Sequence, residues 1–163
     1  IAGLLRQCPS LTKLNLSKNR IAEVAEMGAG SLSEALSQCY WLADLNLREN
    51  EIGEGGVRSL AGVLGQCSSL AKLDLGNNRL GEEGARSLAD VIFLCSSLSV
   101  LDLAWNDIGF RGTRSLARVL GRCHPLAELY LDRNRIGAEG ARSLALEVAG
   151  AELLTRLANT RRQ

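Results

Sequence analysis

A phrase of about 28 residues recurs five times along the chain, and this repetition constrains the fold more than any other feature. The first copy reads LTKLNLSKNRI from Leu11, and the last reads LAELYLDRNRI from Leu126. Successive copies carry an asparagine in the same place, at intervals of 31, 28, 28 and 28 residues: Asn19, Asn50, Asn78, Asn106 and Asn134. A fixed period of about 20 to 50 residues is typical of proteins built from stacked structural repeats.

Each copy predicts a short β-strand followed by an α-helix. Leu73 and Leu75 alternate with polar residues, which is the period of a strand buried on one face, and Leu88, Val91 and Ile92 have the spacing of an apolar helical stripe. A unit of this size cannot bury its own apolar side, so the units must stack on one another. Because helices are wider than strands, the stack curves. We therefore expect an α/β fold: a curved right-handed solenoid, with a parallel sheet inside and helices outside.

The frame LxxLxLxxNxIGxxGxxxLAxxL resembles the leucine-rich repeats of the ribonuclease-inhibitor type, which also occur in NOD-like receptors and in the activating protein of the Ran GTPase. The resemblance covers roughly Leu11 to Leu146 and implies a horseshoe segment that recognises other molecules rather than carrying out chemistry. The first repeat departs from the frame, because it lacks the glycine after Ile21 and carries a three-residue insertion. We expect different local geometry there.

The two ends of the chain differ in how well they match the repeat. Residues 1–10 match the end of a preceding repeat, so residues 1–163 are expected to form one solenoid cut from a longer one. Residues 147–163 lose the frame, with Asn159 and Arg162 where leucine and asparagine belong. Terminal repeats need polar substitutions that face water, so this segment predicts a degenerate C-terminal cap. A boundary imposed on a longer protein is the alternative.

Composition excludes several classes of function. The formal net charge is +1, which argues against general nucleic-acid binding, and the longest apolar run, Val91 to Cys95, is far too short to cross a membrane. The five cysteines recur once per repeat without any zinc-ligand spacing, which indicates buried structural thiols in a reducing, cytoplasmic compartment, with adventitious disulfides as the alternative. They are Cys8, Cys39, Cys67, Cys95 and Cys123.

Other motifs in the repeat are explained by structure. The asparagines suit a buried ladder of hydrogen bonds, and the paired glycines suit tight turns and close packing of helices rather than a phosphate loop. His124 beside Cys123 suggests a nucleophile and base, but that cysteine belongs to the repeating structural set. We predict no catalytic, cofactor-binding or metal-binding residue, and no enzyme. Four of the repeats carry an arginine at the same place, early in the predicted helix, and these arginines are expected to form a solvated row on the outer surface. Binding of an anionic partner is the alternative. The residues are Arg58, Arg86, Arg114 and Arg142.

We expect function to be encoded by residues that vary within the frame, above all those that flank the inner leucines of each strand and point into the concavity. Charges alternate at one such position, in Lys13, Asp44 and Lys72, and predict a stabilising ladder across the sheet. A second alternating set directly follows the asparagines: Arg20, Glu51, Arg79, Asp107 and Arg135. Asp74 and Asp102 instead place like charges side by side, which costs stability and raises the pKa of at least one carboxyl group.

A feature that costs stability on an open surface suggests a binding site, and aromatic side chains ringed by charge are typical of interface hot spots. We predict a protein–protein interaction module that grips a basic or amphipathic segment of a protein partner, within a larger protein such as a NOD-like receptor. A regulator of another enzyme, acting on a ribonuclease or a small GTPase, is the alternative function, and a plain hydrated surface is the alternative for the patch. The predicted partner-binding residues are Asp74, Val100, Asp102, Trp105, Glu128, Tyr130 and Asp132.

Overall fold

The computed structural model describes Cys8, residues 10–21 and residues 25–148. Strands and helices alternate through this part of the chain. The strands are β1 Lys13–Asn15, β2 Asp44–Asn46, β3 Lys72–Asp74, β4 Val100–Asp102 and β5 Glu128–Tyr130. The helices are α1 Ala25–Leu36, α2 Gly53–Leu64, α3 Gly81–Ile92, α4 Gly109–Leu120 and α5 Gly137–Val148.

The strands form one parallel sheet in chain order, from β1 to β5. Every strand residue lies opposite its equivalent in the next repeat, as Leu45 lies opposite Leu73 and Leu73 opposite Leu101. This register confirms that each variable position forms a column across the sheet. The predicted α/β solenoid is confirmed, with strands on the inner side of the curve and helices on the outer side, where the wider spacing of helices fits.

Leucines fill the space between the sheet and the helices. Leu73 and Leu75 are buried from the strand side, and Leu88 and Ile92 are buried from the helix side, as the spacing predicts. The core continues from repeat to repeat without interruption over the described residues. Each repeat therefore buries its apolar side against its neighbours rather than within itself.

Four of the five asparagines form the predicted buried ladder, and Asn19 in the first repeat is exposed. The Oδ1 atom of Asn106 accepts hydrogen bonds from the backbone N–H groups of Asn78, at 2.8 Å, and Leu80, at 3.3 Å, both in the preceding repeat. Its Nδ2 atom donates to the carbonyl oxygens of Leu75 and Leu103, at 2.8 and 3.0 Å. Asn50, Asn78, Asn106 and Asn134 are all nearly inaccessible to solvent. One side chain thus satisfies buried backbone groups of two repeats.

The turn after each strand carries left-handed backbone on both sides of the asparagine, as at Trp105, with φ of 61°, and Asp107, with φ of 52°. Helix α1 begins four residues after Ile21, whereas α2 begins directly after Ile52, the equivalent of Ile21. The predicted local departure of the first repeat falls within residues 22–24, so it stays a prediction. Residues 22–24, most of residues 1–10, and residues 149–163, which hold most of the predicted cap, lie outside the described residues.

Four cysteines lie in the core, as predicted, and Cys8 is exposed. The Cys95 thiol donates to the carbonyl oxygen of Leu64 in the preceding repeat, with an S···O distance of 3.3 Å. Burial, together with the neighbouring Cys67 and Cys123 thiols, raises the pKa of Cys95 to about 12. These thiols therefore act as small packing groups with little nucleophilic character.

Close packing of α3 on α4 depends on Gly112, and we expect Gly112→Ala to destabilise the protein by about 2 kcal/mol because of overpacking. A β-carbon at this position would lie 2.7 Å from Cγ2 of Ile108 and 2.9 Å from the β-carbon of Ala85. The matched control is Gly55→Ala in α2, where a β-carbon would meet nothing within 4 Å. That change should stabilise by about 0.5 to 1 kcal/mol through helix propensity. Urea titrations of both variants measure the difference, and equal effects would contradict the packing described.

Candidate functional site

The seven predicted partner-binding residues lie together at the C-terminal half of the concave face, the surface formed by strand side chains that point away from the helices. We call these seven residues the concave site. Val100 lies opposite Glu128, and Asp102 lies opposite Tyr130. The N–H of Trp105 donates to the carbonyl oxygen of Asp132 at 2.8 Å, so the turns after β4 and β5 also touch. Trp105 and Tyr130 expose 52% and 43% of their surface.

The two aspartates at the centre of the concave site share a cation that the sequence analysis missed. Nη1 of Arg48 lies 4.0 Å from Oδ1 of Asp74 and 3.5 Å from Oδ2 of Asp102. Arg48 reaches them across Gly76, where a β-carbon would overlap its guanidinium. The patch is therefore a mixed charge cluster rather than a purely acidic one. An arginine followed one repeat later by a glycine in the same column is the sequence signal that could have revealed it.

The predicted rise in carboxyl pKa occurs at Asp102, but its main cause differs from the expected one. Burial raises the pKa of Asp102 most, and the neighbouring carboxylates of Asp74 and Asp132 raise it further. The N–H of Ala104, which donates to Oδ1 of Asp102 at 2.8 Å, and the guanidinium of Arg48 lower the pKa in part. Like-charge repulsion, the cause inferred from the sequence, is thus secondary to desolvation.

This shift predicts a pH-dependent effect of Asp102→Asn on stability. The pKa of Asp102 is higher in the folded chain than in the unfolded chain, so ionisation favours unfolding as the pH rises through the folded value. Asparagine does not ionise. The free energy of unfolding of the variant, relative to the unmodified chain, should therefore rise between about pH 3 and about pH 7. A difference that stays constant or falls over this range in urea titrations would contradict the assignment.

The strand position between the two inner leucines, which we call the middle column, holds Asn15, Asn46, Asp74, Asp102 and Tyr130. Most of these residues also have a structural role. The side-chain oxygens of Asn46, Asp74 and Asp102 each accept a hydrogen bond from the backbone N–H two residues further on. This bond holds the chain as it leaves the strand, and both aspartate and asparagine provide it. The sequence alone predicted partner recognition for this column and did not reveal this role. Tyr130 breaks the pattern, because its hydroxyl group donates instead to Oε2 of Glu128 at 2.8 Å.

A second arginine, Arg133, contacts the concave site at its rim, where it lies over the ring of Trp105. The guanidinium carbon of Arg133 lies 5.0 Å from the centre of the Trp105 ring, within the range of a cation–π interaction. Arg133 follows Asp132 in the next turn and was also missed by the sequence analysis. The site therefore combines two half-exposed aromatic rings, several carboxylates and two arginines.

A protein-family model described as Leucine Rich repeat matches residues 7–23, 38–61, 66–89, 94–117 and 122–145. These matches cover well over half of the chain. The chain belongs to the leucine-rich repeat family. Its 28-residue units, each with a strand inside and a helix outside, fit the ribonuclease-inhibitor type of leucine-rich repeat.

Two solved structures share the fold of this chain, although their sequences are only distantly similar to it. The tropomodulin C-terminal domain from Caenorhabditis elegans superposes with a TM-score of 0.74 at 14% identity, covering 99% of both chains. The leiomodin-1 actin-binding site 2 superposes with a TM-score of 0.71 at 15% identity, covering 98% of this chain and 94% of that one. At this identity the likeness concerns the fold. No curated protein matches the sequence significantly.

The charge ladders predicted for these leucine-rich repeats are present in part, as single pairs, and Lys72 has no ion pair within 4.0 Å among the described residues. Nζ of Lys13 lies 2.8 Å from Oδ2 of Asp44 on the neighbouring strand. In the turns, Arg79 pairs with Glu51 at 2.9 Å, and Arg135 pairs with Asp107 at 3.0 Å. Apart from the partly buried Asp44 side chain, these groups are well exposed, so each pair contributes at most about 1 kcal/mol.

The sequence predicts no catalytic, cofactor-binding or metal-binding residue, and nothing in the described residues contradicts this. The thiol of Cys123 donates to the carbonyl oxygen of Val119, and burial raises its pKa, whereas a nucleophile needs the opposite shift. Across residues 10–21 and 25–148 no group of three potential ligands is arranged to hold a metal ion. No helix in the described part of the chain is long and apolar enough to cross a membrane.

Proposed function

We propose that the chain is a protein-interaction module that binds an amphipathic segment of a partner protein at the concave site. The observation that supports this most is the pairing of two half-exposed aromatic side chains, Trp105 and Tyr130, with charged groups on adjacent strands. Large aromatic anchors surrounded by polar groups contribute most of the binding energy in many protein interfaces. The leucine-rich repeat architecture supports the more general proposal that the chain is a protein-interaction module.

The charges of the concave site refine the kind of partner. Arg48 partly neutralises Asp74 and Asp102, and Arg133 stacks on Trp105. A uniformly basic segment would meet both of these arginines. An amphipathic segment fits better, with an apolar side chain against Trp105 and Tyr130 and a basic side chain near Glu128 and Asp132.

The proposed setting is a recognition segment within a larger cytoplasmic protein such as a NOD-like receptor. Four buried thiols, one per repeat, suit a compartment that keeps cysteine reduced. Regulation of an enzyme would use the same surface. Adding a ribonuclease or a small GTPase to the chain separates that function from simple recognition.

The proposal is tested by capturing a partner from cell extract with the chain as bait and then footprinting the complex by hydroxyl-radical oxidation. Purified actin is the first defined protein to add, since one structural neighbour is an actin-binding site of leiomodin-1. We expect bound partner to slow oxidation of Trp105 and Tyr130 and to leave Tyr40 and Trp41 as reactive as in the free chain. Protection confined to Tyr40 and Trp41 would place the interface elsewhere and refute the proposal.

A further inference from the structure

A stripe of four arginines runs along the outer surface of the solenoid, on the side opposite the concave site. Its members occur at intervals of three, four and four residues, which places them on one face of α4 and of the turn that follows it. All four are exposed. We call this set the arginine stripe: Arg111, Arg114, Arg118 and Arg122.

The arginine stripe has little internal compensation. Helix α4 reads GFRGTRSLARVL and contains no acidic residue. Arg111 lies 4.0 Å from Oε2 of Glu82, at the limit of an ion pair, and Arg122 stacks on the ring of Phe93 at 3.9 Å. Within the described residues, neither Arg114 nor Arg118 has a carboxylate partner within 4.0 Å. Their charges therefore face solvent.

The arginine stripe is special to one repeat. The equivalents of Arg111 in the adjacent helices are Glu83 and Glu139, and the equivalent of Arg118 in α3 is Asp90. Only the position of Arg114 is arginine in every helix from α2 to α5, so Arg114 stands where the stripe crosses that row. The outer surface thus presents one basic helix between two helices that carry acidic groups.

A basic helix between two helices that carry acidic groups favours an anionic ligand no wider than one helix. A membrane surface or a nucleic-acid duplex is wider than one helix, so it would bring its own negative charge against the acidic groups of α3 and α5. A single acidic helix avoids this. Carboxylates spaced by three or four residues on such a helix rise about 4.5 to 6 Å per step, which matches the rise between successive members of the arginine stripe.

We propose that the arginine stripe is a second interaction surface that binds the acidic face of a helical segment from a partner protein. Each guanidinium presents paired N–H donors that fit a carboxylate, and the long side chains reach past the helix backbone. This surface lies on the helices and not on the strands, so it works independently of the concave site.

The test uses two synthetic alanine- and glutamine-based peptides, each with four glutamates. In one peptide the glutamates follow the i, i+4, i+8, i+11 pattern, and in the other they are spread around the helix. We expect the aligned peptide to bind more tightly, and Arg114→Gln with Arg118→Gln to weaken its binding about tenfold, in a salt-dependent manner. The control, Arg58→Gln with Arg135→Gln, removes two exposed arginines outside the stripe and should leave binding unchanged.

Three results would overturn the proposal. These are no binding of either peptide at low ionic strength, equal weakening by the two double variants, or tighter binding to phosphatidylserine vesicles or single-stranded DNA than to the aligned peptide. Thermal unfolding of each variant checks that the fold is kept. All four substituted side chains are exposed, and the Arg135–Asp107 pair contributes at most about 1 kcal/mol, so the melting temperatures should lie within about 4 °C of that of the unmodified chain.

Discussion

Asn106→Ala should lower the free energy of unfolding by about 4 kcal/mol, because it leaves several buried backbone groups without partners. The N–H groups of Asn78 and Leu80 lose the oxygen that accepts both of their hydrogen bonds. The carbonyl oxygens of Leu75 and Leu103 lose a donor at the same time. Proteins of this size are stable by about 5 to 15 kcal/mol, so one side chain controls a large share of the total.

The matched control for this prediction is Asn19→Ala, at the equivalent position of the first repeat. Asn19 is exposed, and its Nδ2 atom donates to the carbonyl oxygens of Leu16 and Ser17 within its own turn. Water can replace these bonds, so the expected loss is about 1 kcal/mol. Urea unfolding followed by circular dichroism measures both variants. Similar losses in the two would show that the ladder between repeats contributes little to stability.

The fold could be predicted almost completely from the sequence because the repeat fixes it several times over. Each leucine pair, such as Leu73 and Leu75, has an equivalent in every unit, and the asparagine marks the same turn each time. Periodicity of two and of three to four residues is a direct consequence of strand and helix geometry. The predicted departure of the first repeat stays a prediction, because its insertion falls on residues 22–24, outside the described residues.

The concave site could be located but not fully described. The strand register places Asp74 beside Asp102, and alternation along the strand decides which side chains face the concavity. The reach of Arg48 over Gly76 depends on a long side chain crossing two strands, which no local pattern encodes. In the same way, the stacking of Arg133 on Trp105 depends on the conformations of two neighbouring turns. Contacts of this kind need three-dimensional coordinates.

The structural role of the middle column was also not predicted, although its short polar side chains indicate it. Asn46, Asp74 and Asp102 accept hydrogen bonds from the backbone two residues ahead, as short polar side chains often do at the end of a strand. Such a residue serves the fold first. Tyr130 replaces this type of side chain in the last described strand, and this departure supports the proposal that it contacts a partner.

The central claim is that partner recognition lies at the concave site, and the chain offers a balanced way to test it. It contains two tyrosines and two tryptophans: Trp105 and Tyr130 lie in the site, whereas Tyr40 and Trp41 lie in the turn before β2. Tyr40 and Trp41 are exposed to 59% and 64%, at least as much as the site pair. Replacing either pair by alanine removes the same chemical groups.

The decisive measurement is the dissociation constant of a captured partner for these two double variants. Trp105→Ala with Tyr130→Ala should weaken binding by about 30-fold or more, because burial of aromatic anchors dominates interface energy. Tyr40→Ala with Trp41→Ala should change the dissociation constant by less than about threefold, as expected of residues outside an interface. An unchanged affinity for the first variant, or a large loss for the second alone, would contradict the account.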